Sequence, residues 1–210
     1  HGDSQWMEGG TYTQLDYVYD IAQLLHQKDM RPVTIIGHSL GGSISLLYTS
    51  VYPDNVKKLV AIEGLGPSPS MQEKLKEKRI GDRIRDWMGD LRKSSGRSAR
   101  RYLTLEDAFQ RMQDENPHLS EAQARHLTIH GSNQNEDGTF SWKFDNYVRF
   151  FAFSGLPSND LKKLWGDIKC PALLVRGVES WASDPVADGR TKYFNCPIEV
   201  EAFEKAGHWV

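Results

Sequence analysis

The segment from Pro32 to Ile62 constrains this chain more than any other stretch. Pro32-Val33-Thr34-Ile35-Ile36 reads as a short buried strand. It runs into Gly37-His38-Ser39-Leu40-Gly41-Gly42, and Ser43-Ile44-Ser45-Leu46-Leu47-Tyr48 continues as a helix that must stop near Tyr52, because Pro53 cannot extend it. Val56 to Ile62 is a second buried strand, with Lys57-Lys58 at its entry. The order strand, tight turn, helix, strand is a βαβ unit. Such a unit commits the chain to an α/β architecture with a parallel sheet. Upstream, Leu15, Val18, Ile21, Ala22 and Leu25 recur at helical spacing and predict an amphipathic helix over about residues 12 to 27. Downstream, Cys170 to Gly177 is an apolar strand, and Ile198 to Phe203 alternates cleanly as another.

Between these two blocks of sheet the texture changes. From Gly64 to about Asp167 the chain carries long charged helical stretches, a Gly/Asn/Asp-rich loop at Gly131 to Gly138, and scattered large aromatics. The expected organisation is therefore a core part over 1–66 that holds the tight turn, an inserted helical cap over 67–167, and a second core part over 168–210. Trp87, Phe109, Trp142, Phe144, Phe150, Phe151 and Phe153 give the cap aromatic mass, either as its own core or as the wall of an apolar pocket. Residues 71 to 101 hold 11 Lys/Arg against 5 Asp/Glu, which a solvated helical face explains.

The formal net charge of −2 exerts no long-range pull toward nucleic acid or an anionic membrane, and no apolar stretch is long enough to span a bilayer. Two cysteines, Cys170 and Cys196, do not make a disulfide framework, so a cytoplasmic location is expected. Neither a metal-ligand spacing nor a phosphate-cradling glycine motif is present, and no cofactor is expected.

The chemical signal is Gly37-His38-Ser39-Leu40-Gly41, a G-x-S-x-G between strand and helix. A sharp turn there lifts the Ser39 hydroxyl clear of the sheet, with the glycines on either side leaving room for close approach. The helix N-terminus that follows favours developing negative charge, so the Leu40 N–H is a candidate oxyanion donor. A serine hydroxyl needs a base to become a nucleophile. Of the seven histidines, His208 follows the strand ending at Phe203 through a short loop, and loops at the carboxyl ends of parallel strands are where such a sheet gathers reactive groups.

Gly37-His38-Ser39-Leu40-Gly41-Gly42 and Gly207-His208-Trp209, with His1-Gly2-Asp3-Ser4 upstream, resemble the α/β-hydrolase superfamily, in its capped esterase, dehalogenase and epoxide-hydrolase-like branch. The resemblance covers everything except the cap. It implies that further strands and a His-Gly oxyanion loop precede residue 1, and that a helix follows Val210. It also implies an acid that orients His208. The common place for that acid, three residues beyond Gly177, is occupied by Ser180. Glu63, at the end of the strand after the turn, is the expected acid, with Glu179 as its alternative and Asp184 behind both. His38, Trp142, Trp181 and Trp209 are candidate substrate contacts. Dehalogenases and epoxide hydrolases of this fold use an aspartate nucleophile, so Ser39 implies acyl chemistry on a small hydrophobic ester or a related acyl compound. A carbon-carbon hydrolase or lyase of the same fold, or a non-catalytic scaffold, would keep the same outline.

Overall fold

A computed structural model of the chain describes residues 2–7, 12–94, 99–149 and 156–209. Those residues gather into two compact units, one drawn from Thr13–Arg79 and Ser154–His208, the other from His1–Tyr12, Ile80–Phe153 and Trp209.

The first unit holds a parallel sheet whose strands are β1 (Val33–His38), β2 (Val56–Ile62), β5 (Ala172–Gly177) and β6 (Ile198–Phe203), in the spatial order β1-β2-β5-β6. Register is continuous across the middle, with Ile36 opposite Val60, Val60 opposite Leu173, and Leu173 opposite Glu199. The two central strands carry the apolar runs seen in the sequence, and from Leu59 and from Ala172 onward they bury alternate residues on one face while those between are partly covered. Leu59 and Leu174 are almost wholly buried.

Helices α1 (Gln14–Gln27), α2 (Leu40–Val51) and α7 (Ser158–Gly166) complete this core. Thr13 and Asp16 form a reciprocal capping box that fixes the start of α1, one turn of chemistry that a hydrophobic pattern alone does not resolve. The central helix α2 packs against β1, β2, α1 and α7. It buries three polar side chains, Ser45, Thr49 and Ser50. Each turns its hydroxyl back on its own helix: Ser45 Oγ donates to Gly41 O at 2.6 Å, Thr49 Oγ1 to Ser45 O at 2.7 Å, and Ser50 Oγ to Leu47 O at 2.8 Å. That local bonding is why an otherwise costly set of buried hydroxyls is tolerated in a core helix.

The second unit contains α4 (Ile80–Ser94), α5 (Leu105–Glu115), α6 (Glu121–Gly131) and an antiparallel pair, β3 (Ser132–Gln134) with β4 (Phe140–Trp142). Capping boxes at Thr104/Asp107 and Ser120/Gln123 start α5 and α6. The stretch read from sequence as an irregular loop, Gly131 to Gly138, is instead the first arm and turn of this hairpin. Its polar composition concealed a strand, and Gly138 with φ of 81° supplies the turn.

The boundaries also differ from the sequence expectation of a cap over 67–167. Helix α3 (Pro69–Glu77) and α7 group with the sheet unit. For α7 the reason is packing: Trp165 is buried in the sheet's core and stacks on Phe194 at 5.4 Å between ring centroids, although the helix surface is highly charged. Of the cap aromatics, Phe109 lies in the second unit's own core with Leu119 and Ala124. Phe150, Phe151 and Phe153 lie outside the described residues.

Candidate active site

The ends of three neighbouring strands and the loop after a fourth bring the reactive groups together. The ladder between β1 and β2 continues one residue beyond the strands, where Ser39 N donates to Ile62 O at 2.8 Å. Ser39 itself has φ of 55° and ψ of −119°, a region costly for any residue with a Cβ, and it stands just before α2 with its side chain making no bond to the helix start. The turn is held from both sides. A Cβ on Gly37 would lie 2.6 Å from Ser45 Oγ, and one on Gly42 would lie 2.8 Å from Gly64 Cα. The sequence expectation that Gly41 is needed for close approach is corrected here. Among the described residues nothing lies within 4 Å of a Cβ at Gly41, and the crowded position is its neighbour Gly42. Leu40, the first residue of α2, carries one of the first-turn N–H groups that have no acceptor inside their own helix.

Glu63 leaves β2 with φ of 53°, a second strained backbone position one residue past a strand end. Its N–H donates to Val175 O at 2.8 Å, which extends the β2–β5 ladder and fixes where the side chain starts. The side chain has no exposed surface. Its Oε1 accepts from Gly177 N at 2.8 Å, and its Oε2 accepts from the Ser180 hydroxyl and from His208 Nδ1 at 3.2 Å. Burial pushes the Glu63 carboxyl up, but the hydrogen bonds from His208, Ser180 and Gly177 outweigh it and hold the group below the usual carboxylate range. The buried group is thus an ionised acceptor with every donor supplied by protein.

His208 completes the series. A carboxylate can only accept, so the bond to Glu63 assigns the proton to Nδ1 and leaves Nε2 as an acceptor. Nε2 lies 2.8 Å from Ser39 Oγ. The loop that carries His208 is held over the end of β5, where Val178 N donates to Phe203 O and Glu179 N to Ala206 O. A side chain on Gly177 would collide with the carbonyl oxygens of Ala206 and Gly207, so only glycine permits that approach.

Ser39, His208 and Glu63 are therefore joined, while the other two acids considered from sequence are elsewhere. Glu179 is exposed, and Asp184 caps its own loop by accepting from Val186 N at 2.8 Å. His38 has its Nε2 2.7 Å from the His208 carbonyl oxygen and therefore donates to it, with the two rings 4.9 Å apart. Trp181 is exposed and leans on the His208 ring at 5.0 Å. Trp142 and Trp209 group with the second unit. The Trp142 indole donates to Tyr102 Oη at 3.2 Å, and that of Trp209 to Asn116 Oδ1 at 2.7 Å.

Sequence reasoning passed over Ser180 as an empty acid position and did not single out Arg190. The Arg190 guanidinium, 4% exposed, donates to Asp188, to the carbonyls of Leu65 and Gly66, and to Ser183, tying the segment after Glu63 to the loop after β5. A lone arginine in a loop gives no sequence signal of such burial. Among the described residues no group of three or more His, Cys, Asp and Glu side chains is placed to hold a metal ion, and no helix is long and apolar enough to cross a membrane.

The family described as alpha/beta hydrolase fold matches residues 1–210. A serine hydrolase-like protein from Danio rerio is 29% identical over 150 residues, 69% of this chain and 44% of that protein. An esterase from Mycobacterium tuberculosis is 27% identical over 183 residues, 86% of this chain and 55% of the esterase. The chain thus spans about half the length of these curated relatives. The crystal structure of a hypothetical protein from Pseudomonas aeruginosa superimposes with a TM-score of 0.80 at 19% identity, covering 99% of this chain and 71% of that one, which is a likeness of fold. A parallel sheet with a strained serine turn at the end of β1, and a family match that runs over the whole chain, lead to one conclusion: the chain belongs to the alpha/beta hydrolase fold family.

Proposed function

We propose that the protein is a serine hydrolase that cleaves a carboxylic ester, or a related acyl bond, through an acyl-enzyme on Ser39. The observation that carries this reading is the unbroken series Ser39 Oγ, His208 Nε2, His208 Nδ1, Glu63 Oε2, with separations of 2.8 and 3.2 Å. Two relatives named as an esterase and a serine hydrolase-like protein support the same chemistry.

In this mechanism Ser39 Oγ attacks the carbonyl carbon while its proton passes to His208 Nε2. The oxyanion that forms lies at the N-terminus of α2, within the field of its first-turn N–H groups, Leu40 among them. Collapse breaks the bond to the leaving oxygen, which takes the proton from His208 Nε2. Water then attacks the acyl-serine, gives its proton to His208, and the acid departs as Ser39 is reprotonated. Glu63 holds Nδ1–H and offsets the imidazolium charge at each stage. His38 steadies the His208 backbone through its ring N–H. The exposed Trp181 indole beside His208 supplies an apolar face at the reacting centre, which suits a small hydrophobic acyl or alkoxy group.

The test is labelling by an organophosphonate together with the Ser39→Ala variant. The phosphonate should be carried on Ser39, and Ser39→Ala should lower kcat by about 10⁶. Ester turnover that survives the substitution overturns the serine mechanism.

A further inference from the structure

Resting on the reading of Ser39, His208 and Glu63 as the catalytic unit, we propose that Ser180 is a positioning residue for the acid: its hydroxyl, by donating to Glu63 Oε2, sets the carboxylate that orients His208. The residue that occupies the usual acid position thereby serves an acid that comes from a different strand.

The direction of the bond follows from the other partner of the hydroxyl. Ala182 N donates to Ser180 Oγ at 3.2 Å, which occupies an oxygen lone pair, and a carboxylate offers no proton. The Ser180 hydroxyl proton therefore goes to Glu63. One turn at the end of β5 then grips both carboxylate oxygens. Gly177 N donates to Oε1 at 2.8 Å, Ser180 Oγ donates to Oε2, and the turn itself is closed by Ser180 N donating to Gly177 O at 3.2 Å. The same turn is fastened to the histidine loop by Glu179 N donating to Ala206 O at 3.0 Å. The bond from His208 Nδ1, at 3.2 Å, is the longest of the three that the carboxylate accepts. Two of the three donors that hold Glu63 thus come from the β5 turn and one from the histidine it serves.

Burial gives this arrangement its leverage. The Glu63 side chain has no exposed surface, so water does not replace a lost donor as it would for a surface carboxylate. His208, from the β6 loop, is the ionisable group whose charge acts on Glu63, and His38, at the end of β1, lies beyond it with its ring against that of His208. The loop after β5 brings Ser180 and the indole of Trp181, neither of them charged, and from β5 itself Gly177 contributes only its N–H. Removing the Ser180 donor leaves Oε2 with His208 alone and lets Glu63 keep a proton to higher pH. The carboxylate then becomes the more basic partner of His208, so the Glu63–His208 pair takes up its proton at higher pH and the acid limb of the activity profile moves the same way.

The experiment compares wild type, Ser180→Ala, Ser180→Thr and Ser39→Ala in the full chain, with a short-chain nitrophenyl ester as the probe. Ser180→Ala should lower kcat about tenfold, the loss of one charge-assisted hydrogen bond, with KM changed less than about twofold. The acid limb of its pH profile should lie at higher pH than that of wild type, and Ser180→Thr, which keeps the hydroxyl, should restore both. A purely structural serine would leave the pH limb where it was. Should Ser180→Ala fail to fold, Ser180→Cys, a weaker donor of similar size, must show the same displacement. Unchanged kcat and acid limb in the folded variant, with Ser39→Ala inactive, overturn the role of Ser180 and leave the hydrolase reading intact. Activity remaining in Ser39→Ala would instead overturn that reading.

Discussion

Replacing Glu63 by glutamine tests the site with the smallest change of shape. The carboxylate accepts three hydrogen bonds in a position with no exposed surface, one at Oε1 from Gly177 N and two at Oε2 from Ser180 and His208. Glutamine has one acceptor oxygen and one donor nitrogen, so one side of this arrangement must fail. The backbone N–H of Gly177 cannot reverse, whereas the Ser180 hydroxyl can rotate and the imidazole can change tautomer. The amide oxygen therefore settles at the Gly177 side and its NH₂ faces His208. Nδ1 becomes the acceptor, the proton moves to Nε2, and the nitrogen facing Ser39 Oγ at 2.8 Å can no longer take the hydroxyl proton. The loss should approach about 10⁴ in kcat, about 5.5 kcal/mol of barrier, the scale on which wrong-tautomer variants of such sites operate. Steady-state kcat on a chromogenic ester measures it, with a thermal melt to show that the fold persists. Glu179→Gln, changed at an exposed residue, should stay within about twofold. A folded Glu63→Gln enzyme that keeps more than a tenth of its activity would refute the reasoning, as would an equal loss in Glu179→Gln.

Two further outcomes follow from the same geometry. Gly42→Ala should destabilise the protein by about 1–3 kcal/mol, because its Cβ must lie 2.8 Å from Gly64 Cα, while Gly41→Ala should be milder; denaturant midpoints of the two variants decide it. Because the folded-state pKa of Glu63 is held below its ordinary value, the stability it contributes is fully present above the usual carboxylate range near about 4.3 and is lost as pH falls through the lowered value. Melting temperatures should therefore drop more steeply on acidification in wild type than in Glu63→Gln, and parallel curves would contradict the assignment of an ionised Glu63.

The sequence by itself determined the βαβ unit and, from it, the parallel sheet. Those features are written in local patterns: apolar runs at Val33 to Ile36 and Val56 to Ile62, a glycine-flanked serine between strand and helix, and Pro53 as a stop. Each acts over one or two turns of chain, so each is legible without knowing what lies opposite. His208 was legible for a related reason, since a histidine in the loop after a parallel strand has few other places to go. The choice among Glu63, Glu179 and Asp184 was not of this kind. It depends on the β2–β5 register, which sets Glu63 N against Val175 O, and on the turn at Gly177 to Ser180 that receives the carboxylate. The partners Gly177 and Glu63 are 114 residues apart in sequence, and no local preference encodes that meeting. For the same reason Ser180 looked like a vacancy, the bond from His38 to the His208 carbonyl was invisible, and Gly41 looked like the crowded glycine. A hydroxyl, an imidazole and a missing Cβ acquire their meaning from the atoms opposite, and only the folded chain decides which atoms those are.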